Sequence, residues 1–211
     1  MSEGNTMRRS FVAVVSRRHI AAAFTVVLVA AAFVAQSSPA RTTSVAAGSA
    51  ATTKVVSKKY GYTLVVAGQW FVHYAVVPWL GGFMLGDAAP DIDNIFDSHD
   101  RKFKIAAKPL AVGTTLEGWT AQYADTMQLF LKSASSKAFC QMSRAFRDAT
   151  IGGEPAREFE NACPGYDVIV VTAVHRGRGY AFQFVSPTPN TAASDRRIFD
   201  AGRRAFHFTA R

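Results

Sequence analysis

The C-terminal half of the chain is patterned by alternation. Residues 167–174 (DVIVVTAV) are β-branched almost throughout, Arg176-Gly-Arg-Gly179 interrupts them, and residues 180–185 (YAFQFV) return with aromatics at every second position. Two such runs around a glycine-containing break predict an antiparallel hairpin. Residues 146–151 and 156–162 flank Gly152-Gly153 and predict a second. If the glycines form a two-residue loop, both at positive φ, Ile151 faces Glu154, Asp148 faces Arg157, Arg147 faces Glu158 and Phe146 faces Phe159. Two opposite-charge pairs and one aromatic pair favour this register by roughly 0.2–1 kcal/mol each. Carried outward, the same register sets Met142 opposite Cys163, with Cys140 on the diagonal. Pro155 lacks an N–H, which marks an edge or a bulge.

Upstream, Tyr60, Tyr62, Leu64 and Val66 share one face of a strand that turns at residues 67–69. Trp70 leads into a second strand over 71–77, which Pro78 stops. Residues 78–102 break the pattern, with a Gly-rich apolar piece followed by an acidic one; a break this long is a functional or disordered insertion. Alternation resumes over 102–112. Thr114-x-x-Glu117 is a capping box opening a helix to about Lys132, with Leu116, Trp119, Tyr123, Met127, Phe130 and Leu131 as its apolar stripe. Near the end, Ser194-Asp195 caps a last helix in which Ile198, Phe199, Gly202, Ala205 and Phe206 share a face, and residues 206–208 close as a short strand. The expected class is α+β, an antiparallel sheet with helices packed on its faces.

The N-terminus carries a different pattern. Residues 20–35 (IAAAFTVVLVAAAFVA) are apolar and uncharged, with arginines before them and small residues after. This is the layout of a secretory signal peptide over residues 1–40; left uncleaved, the same run would anchor the chain in a membrane. Either way the residues after 40 lie on the extracytoplasmic side. Arg8-Arg9-Ser10-Phe11-Val12 also fits a twin-arginine export signal. Residues 41–57, rich in Thr, Ala and Ser, are expected as a flexible linker, and 58–211 as the folded domain.

Charge adds little to this picture. Of the formal net charge of +9, the first forty residues supply four arginines against one glutamate, leaving 20 basic and 14 acidic residues. The remaining charges are scattered, so no nucleic-acid partner is expected; an anionic envelope surface suits them as well. Arg176 and Arg178 read as a solvated hairpin tip, and Arg203 and Arg204 as cations favoured at a helix C-terminus. The two cysteines, Cys140 and Cys163, are expected to form one disulfide in an oxidising compartment.

Several of these segments together resemble the PsbP-like family, which includes the photosystem II extrinsic protein and many exported bacterial proteins, DcrB-like ones among them. The residues concerned are the Tyr60-Gly-Tyr62 start, the Gly68-Gln69-Trp70 turn and the Leu116-Glu117-Gly118-Trp119 helix. Residues 151–156, the strand of Gly179-Tyr180 and the close on Ala205-Phe206 complete the match over roughly 58–208. Ala67 stands where the family usually has proline, and 78–102 is an insertion. The resemblance implies an α/β/α sandwich and an accessory or binding role, with no shared catalytic residues.

Asp91, Asp93, Asp97, His99 and Asp100 form the one cluster with the composition of a site. Clustered carboxylates could hold a hard cation such as Ca²⁺, but Ile95 stands where an EF-hand loop needs Asp or Asn. A solvated acidic loop is the plainer reading, and apart from calcium no cofactor is expected. His73 and His175 read as structural, and neither a G-x-S-x-G elbow nor a P-loop is present. The expected function is an exported, non-enzymatic envelope domain binding a protein partner or small ligand. The alternative is a secreted, metal-assisted enzyme using Asp91, Asp93, Asp97 and His99.

Overall fold

The computed structural model describes residues 51–84, 86–133, 141–187 and 192–209. The expected leader (residues 1–40) and Cys140 lie outside them. Eleven strands and two helices follow in the order β1 (Thr52–Ser57), β2 (Tyr62–Ala67), β3 (Phe71–His73), β4 (Asp93–Phe96), β5 (Lys102–Pro109), α1 (Leu116–Ser133), β6 (Gln141–Met142), β7 (Arg147–Ile151), β8 (Glu154–Cys163), β9 (Tyr166–His175), β10 (Arg178–Pro187), α2 (Ala192–Arg204) and β11 (Phe206–Phe208). The larger sheet runs β3-β4-β5-β10-β9-β8-β6, with β7 also pairing with β8, and the smaller runs β1-β2-β11. All pairs are antiparallel. No helix among the described residues is long and apolar enough to cross a membrane.

Both hairpins form with the expected turns. Arg176-Gly177 close β9–β10 at φ 49° and 70°, and Gly152-Gly153 close β7–β8 at 60° and 85°. Ile151 faces Glu154, Asp148 faces Arg157 and Arg147 faces Glu158, while the Phe146 and Phe159 rings meet edge to face at 5.5 Å. Arg157 binds Asp148, and Arg147 reaches Glu158 at 3.2 Å.

Beyond that point the register departs from expectation. Met142 pairs with Asn161, not with Cys163. Five steps separate residues 142 and 147 while three separate their partners 161 and 158, so residues 143–146 carry two extra positions as a bulge. The bulge turns Arg144 toward α1, where its guanidinium meets Asp125 at 2.7 Å.

Alternation divides the larger sheet into two faces. One carries Thr172, Gln183 and Asn161 and receives α1: the Thr120 and Thr172 hydroxyls are 2.7 Å apart, and Gln183 Nε2 donates to Tyr123 Oη at 2.7 Å. The other carries Tyr180, Phe182 and Phe184 and is covered by the small sheet and α2, with Phe182 edge-on to Phe206 at 5.8 Å and Tyr180 Oη donating to the Tyr60 carbonyl at 2.6 Å. Trp119, Tyr123 and Met127 of the α1 stripe are buried, as are Phe199 and Gly202 of α2. This is the expected α+β sandwich.

Five local expectations need correction. Residues 52–57, placed in the linker, form β1; it buries Val55 and Ser57 against β2. The insertion over 78–102 supplies β4 inside the larger sheet, whereas the strand expected over 71–77 ends at His73. The cap of α1 is Thr115, whose Oγ1 accepts from the Gly118 N–H at 3.1 Å. α2 starts at Ala192, so Ser194 and Asp195 lie in its first turn.

Candidate functional site

The α1 face of the larger sheet is only partly covered by α1, and the remainder is the floor of a pocket. Lys102 and Lys104 on β5, Gln183 and Val185 on β10 and Val168 on β9 sit side by side there, because Lys104 pairs with Gln183, Lys102 with Val185 and Val185 with Val168. The insertion forms one wall through Phe83, Met84 and Gly86, and Gly165-Tyr166 of the β8–β9 turn forms another. The cavity measures about 390 Å³. Phe83 is fixed by stacking on Phe130 of α1 at 4.6 Å, and Trp79 holds the insertion on the same helix, edge-on to Trp119 at 6.1 Å and Tyr123 at 5.7 Å.

The polar chemistry of this floor is cationic. Lys104 is buried; its Nζ donates to the Gly86 carbonyl at 3.0 Å and lies 3.7 Å from Asp87. Lys102 Nζ donates to Asp87 at 2.7 Å. Burial pushes the Lys104 ammonium below the usual lysine range, with Asp87 opposing the shift. The hydrogen bond from Lys102, foremost, holds the Asp87 carboxyl below the usual carboxylate range. An apolar rim over two ammonium groups can hold an amphipathic or anionic molecule by burial and charge together.

The acidic cluster named from the sequence is divided among separate tasks. Asp93 is fully buried on β4 and accepts from Tyr62 Oη at 2.8 Å and the Ala75 N–H at 2.7 Å. Burial, the largest influence, raises its pKa above the usual carboxylate range, and these hydrogen bonds oppose that. Asp97 is a turn anchor that accepts the N–H groups of His99 and Arg101 at 2.9 and 3.1 Å and pairs with the Arg101 guanidinium. The Asp91 carbonyl accepts from Tyr60 Oη. His99 projects into solvent, and Asp100 sits at φ 60° on the rim of the pocket. Among the described residues, no group of three or more His, Cys, Asp or Glu side chains is placed to hold a metal ion.

Sequence reading missed the lysine floor. Lys102 and Lys104 alternate with Phe103 and Ile105, which reads as an ordinary solvent-facing side of a strand. His73 and His175 take the structural roles expected of them. His73 Nδ1 lies 3.3 Å from the Asp87 carbonyl; His175 lies 2.8 Å from Glu154 and stacks on Phe208 at 4.1 Å.

No protein-family model and no curated protein matches the chain. Among solved structures, it is similar to cyanobacterial PsbP (CyanoP) from Synechocystis sp. PCC 6803, with TM-score 0.57 and 13% identity over 77% of this chain and 95% of that one. Looser similarities, both at TM-score 0.42, are to LpqN of Mycobacterium tuberculosis, described as involved in cell envelope biogenesis (14% identity, 76% and 91% covered), and to a protein of Bacteroides thetaiotaomicron VPI-5482 (11% identity, 74% and 48% covered). The TM-score of 0.57 is the one that bears on architecture: this chain has a PsbP-like fold.

Proposed function

We propose that the chain is an exported, non-enzymatic domain of the cell envelope that binds a small ligand or a segment of a partner protein in the pocket over Lys102 and Lys104. The observation that carries this reading is the pocket itself, an apolar-walled cavity with a buried ammonium at its floor, walled in part by the insertion. The leader over residues 1–40, cleaved or retained as an anchor, delivers the domain to the extracytoplasmic side, where the Cys140–Cys163 bridge would persist. A fold of this kind does not dictate a function by itself, but it agrees with the accessory role that the sequence resemblance implies. The metal-assisted alternative has no comparable support, since Asp93 and Asp97 already serve as acceptors for neighbouring groups.

The test has two arms. A reporter fused after residue 57 should appear outside the cytoplasm. The exported protein, isolated with its native envelope extract, should gain thermal stability from a fraction of that extract, and Lys104→Met should abolish the gain. A cytoplasmic reporter, or a gain unaffected by Lys104→Met, contradicts the reading.

A further inference from the structure

A second basic region lies at the end of the sandwich formed by the turn at residues 58–61, the two hairpin tips and β11. Two recesses open there. One, of about 180 Å³, is lined by Tyr60, Gly61, His175, Arg176, Arg178 and Thr209 among others. The second, of about 190 Å³, is lined by Thr150, Gly152, Gly153, Arg203, Arg204 and His207 among others. Phe208 links them, for it stacks on His175 in the first and lies against Gly152 in the second, where an added Cβ would meet its ring at 2.6 Å.

Arg178 and Arg203 are poorly compensated. Arg178 is no solvated tip residue: its guanidinium has one hydrogen bond among the described residues, to the Ala107 carbonyl at 3.3 Å, and its Nε is buried without a partner. Arg203 donates to the Thr150 carbonyl at 3.2 Å, meets Asp200 only at 3.5 Å, and also has a buried, unpartnered Nε. Arg204 and Lys58 are exposed. The nearby acids are engaged, Glu154 by His175 at 2.8 Å and Asp200 by Arg196 at 3.3 Å. The terminal N–H groups of Arg178 and the exposed guanidinium of Arg204, beside turn backbones at positive φ, suit phosphate oxygens.

We propose that these two recesses bind phosphate groups of one linear anionic polymer, independently of the pocket over Lys104. Two basic recesses on either side of the Phe208 ring suit a chain that carries repeated charges. An isolated phosphate would fill only one of them and forgo the gain from linkage. A lipid surface is the less favoured partner, because none of the exposed large hydrophobic residues lines either recess.

The test titrates the full chain, held in neutral detergent, with linear polyphosphate, with orthophosphate and with vesicles of anionic phospholipid. Polyphosphate should bind at least a hundredfold more tightly than orthophosphate and weaken with salt. Arg178→Gln and Arg204→Gln should each weaken it roughly tenfold. Arg144→Gln, which removes the same charge at the β6–β7 bulge, should leave it unchanged. Arg204 is exposed, so its variant folds even if Arg178→Gln does not. Equal weakening by Arg144→Gln, orthophosphate binding as tightly, or binding to vesicles without polyphosphate would each overturn the proposal.

Discussion

The indole of Trp119 lies on the bare backbone of Gly179 and donates its Nε1 proton to the carbonyl of Tyr180 at 2.9 Å. A Cβ at position 179 would stand 2.7 Å from the ring atoms Cδ2 and Cε2, so glycine here is a packing requirement of the helix–sheet contact. Trp119→Ala should cost about 3–5 kcal/mol and Gly179→Ala about 1–3 kcal/mol through overpacking, both read by chemical denaturation. The two should couple: in the Trp119→Ala background the Gly179→Ala cost should largely vanish. Simple additivity would mean that the indole does not rest on this backbone.

Lys104 separates binding from stability. Its burial is unfavourable to the ammonium, and its partner Asp87 is largely exposed and keeps Lys102, so removing the ammonium strands no buried charge. Lys104→Met should leave unfolding free energy at pH 7 within about 1 kcal/mol of wild type, or raise it. Because the folded pKa is depressed, the wild type should gain stability as pH rises from that value toward the unfolded pKa of about 10.4, and the variant should lack this gain. A large loss of stability in Lys104→Met would mean that the lysine is a structural strut.

Asp93 should impose the opposite dependence. Its folded pKa is raised by burial, so its stabilising contribution is fully present below the unfolded value of about 3.9 and is lost as pH rises through the folded value. The stability difference between wild type and Asp93→Asn should therefore shrink from about pH 3.9 upward, measured by denaturation at a series of pH values. A difference that grows with pH would show that the carboxylate is held charged.

What the sequence disclosed and what it hid follow from how each element is encoded. The hairpins were legible because Gly152-Gly153 and Arg176-Gly177 fix their turns locally, and charge pairs then set the β7–β8 register. β1 was hidden because it is mostly Thr, Lys and Ser, and its Val55 is buried only through pairing with β2. β4 was hidden because Asp93 and Asn94 look solvent-facing, yet both are buried, Asp93 by Tyr62 and Asn94 by the Asp87 carbonyl at 2.7 Å. The pocket could not be read at all, since it gathers residues from the insertion, β5, the β8–β9 turn, β9 and β10, and no local pattern reports which distant segments meet.

The corrected β6 register bears on the disulfide. The pairs Gln141–Ala162 and Met142–Asn161 run in antiparallel step, so Met142 does not stand opposite Cys163 and the diagonal relation expected from a uniform register no longer applies; Cys140 itself lies outside the described residues. Alkylation of the unreduced, denatured exported protein should label neither cysteine; two labels per chain would refute the bridge.

The central claim is tested most directly inside the cell. Tyr166 lines the pocket and is partly exposed, so a photoreactive phenylalanine derivative can replace it with little change of shape. On irradiation of intact cells the exported chain should yield a discrete adduct, identifiable by mass, that disappears in the Lys104→Met background and is absent when the probe replaces the exposed Leu129 of α1. The same adduct at both positions, or one that persists without the Lys104 ammonium, would contradict a binding pocket at this site.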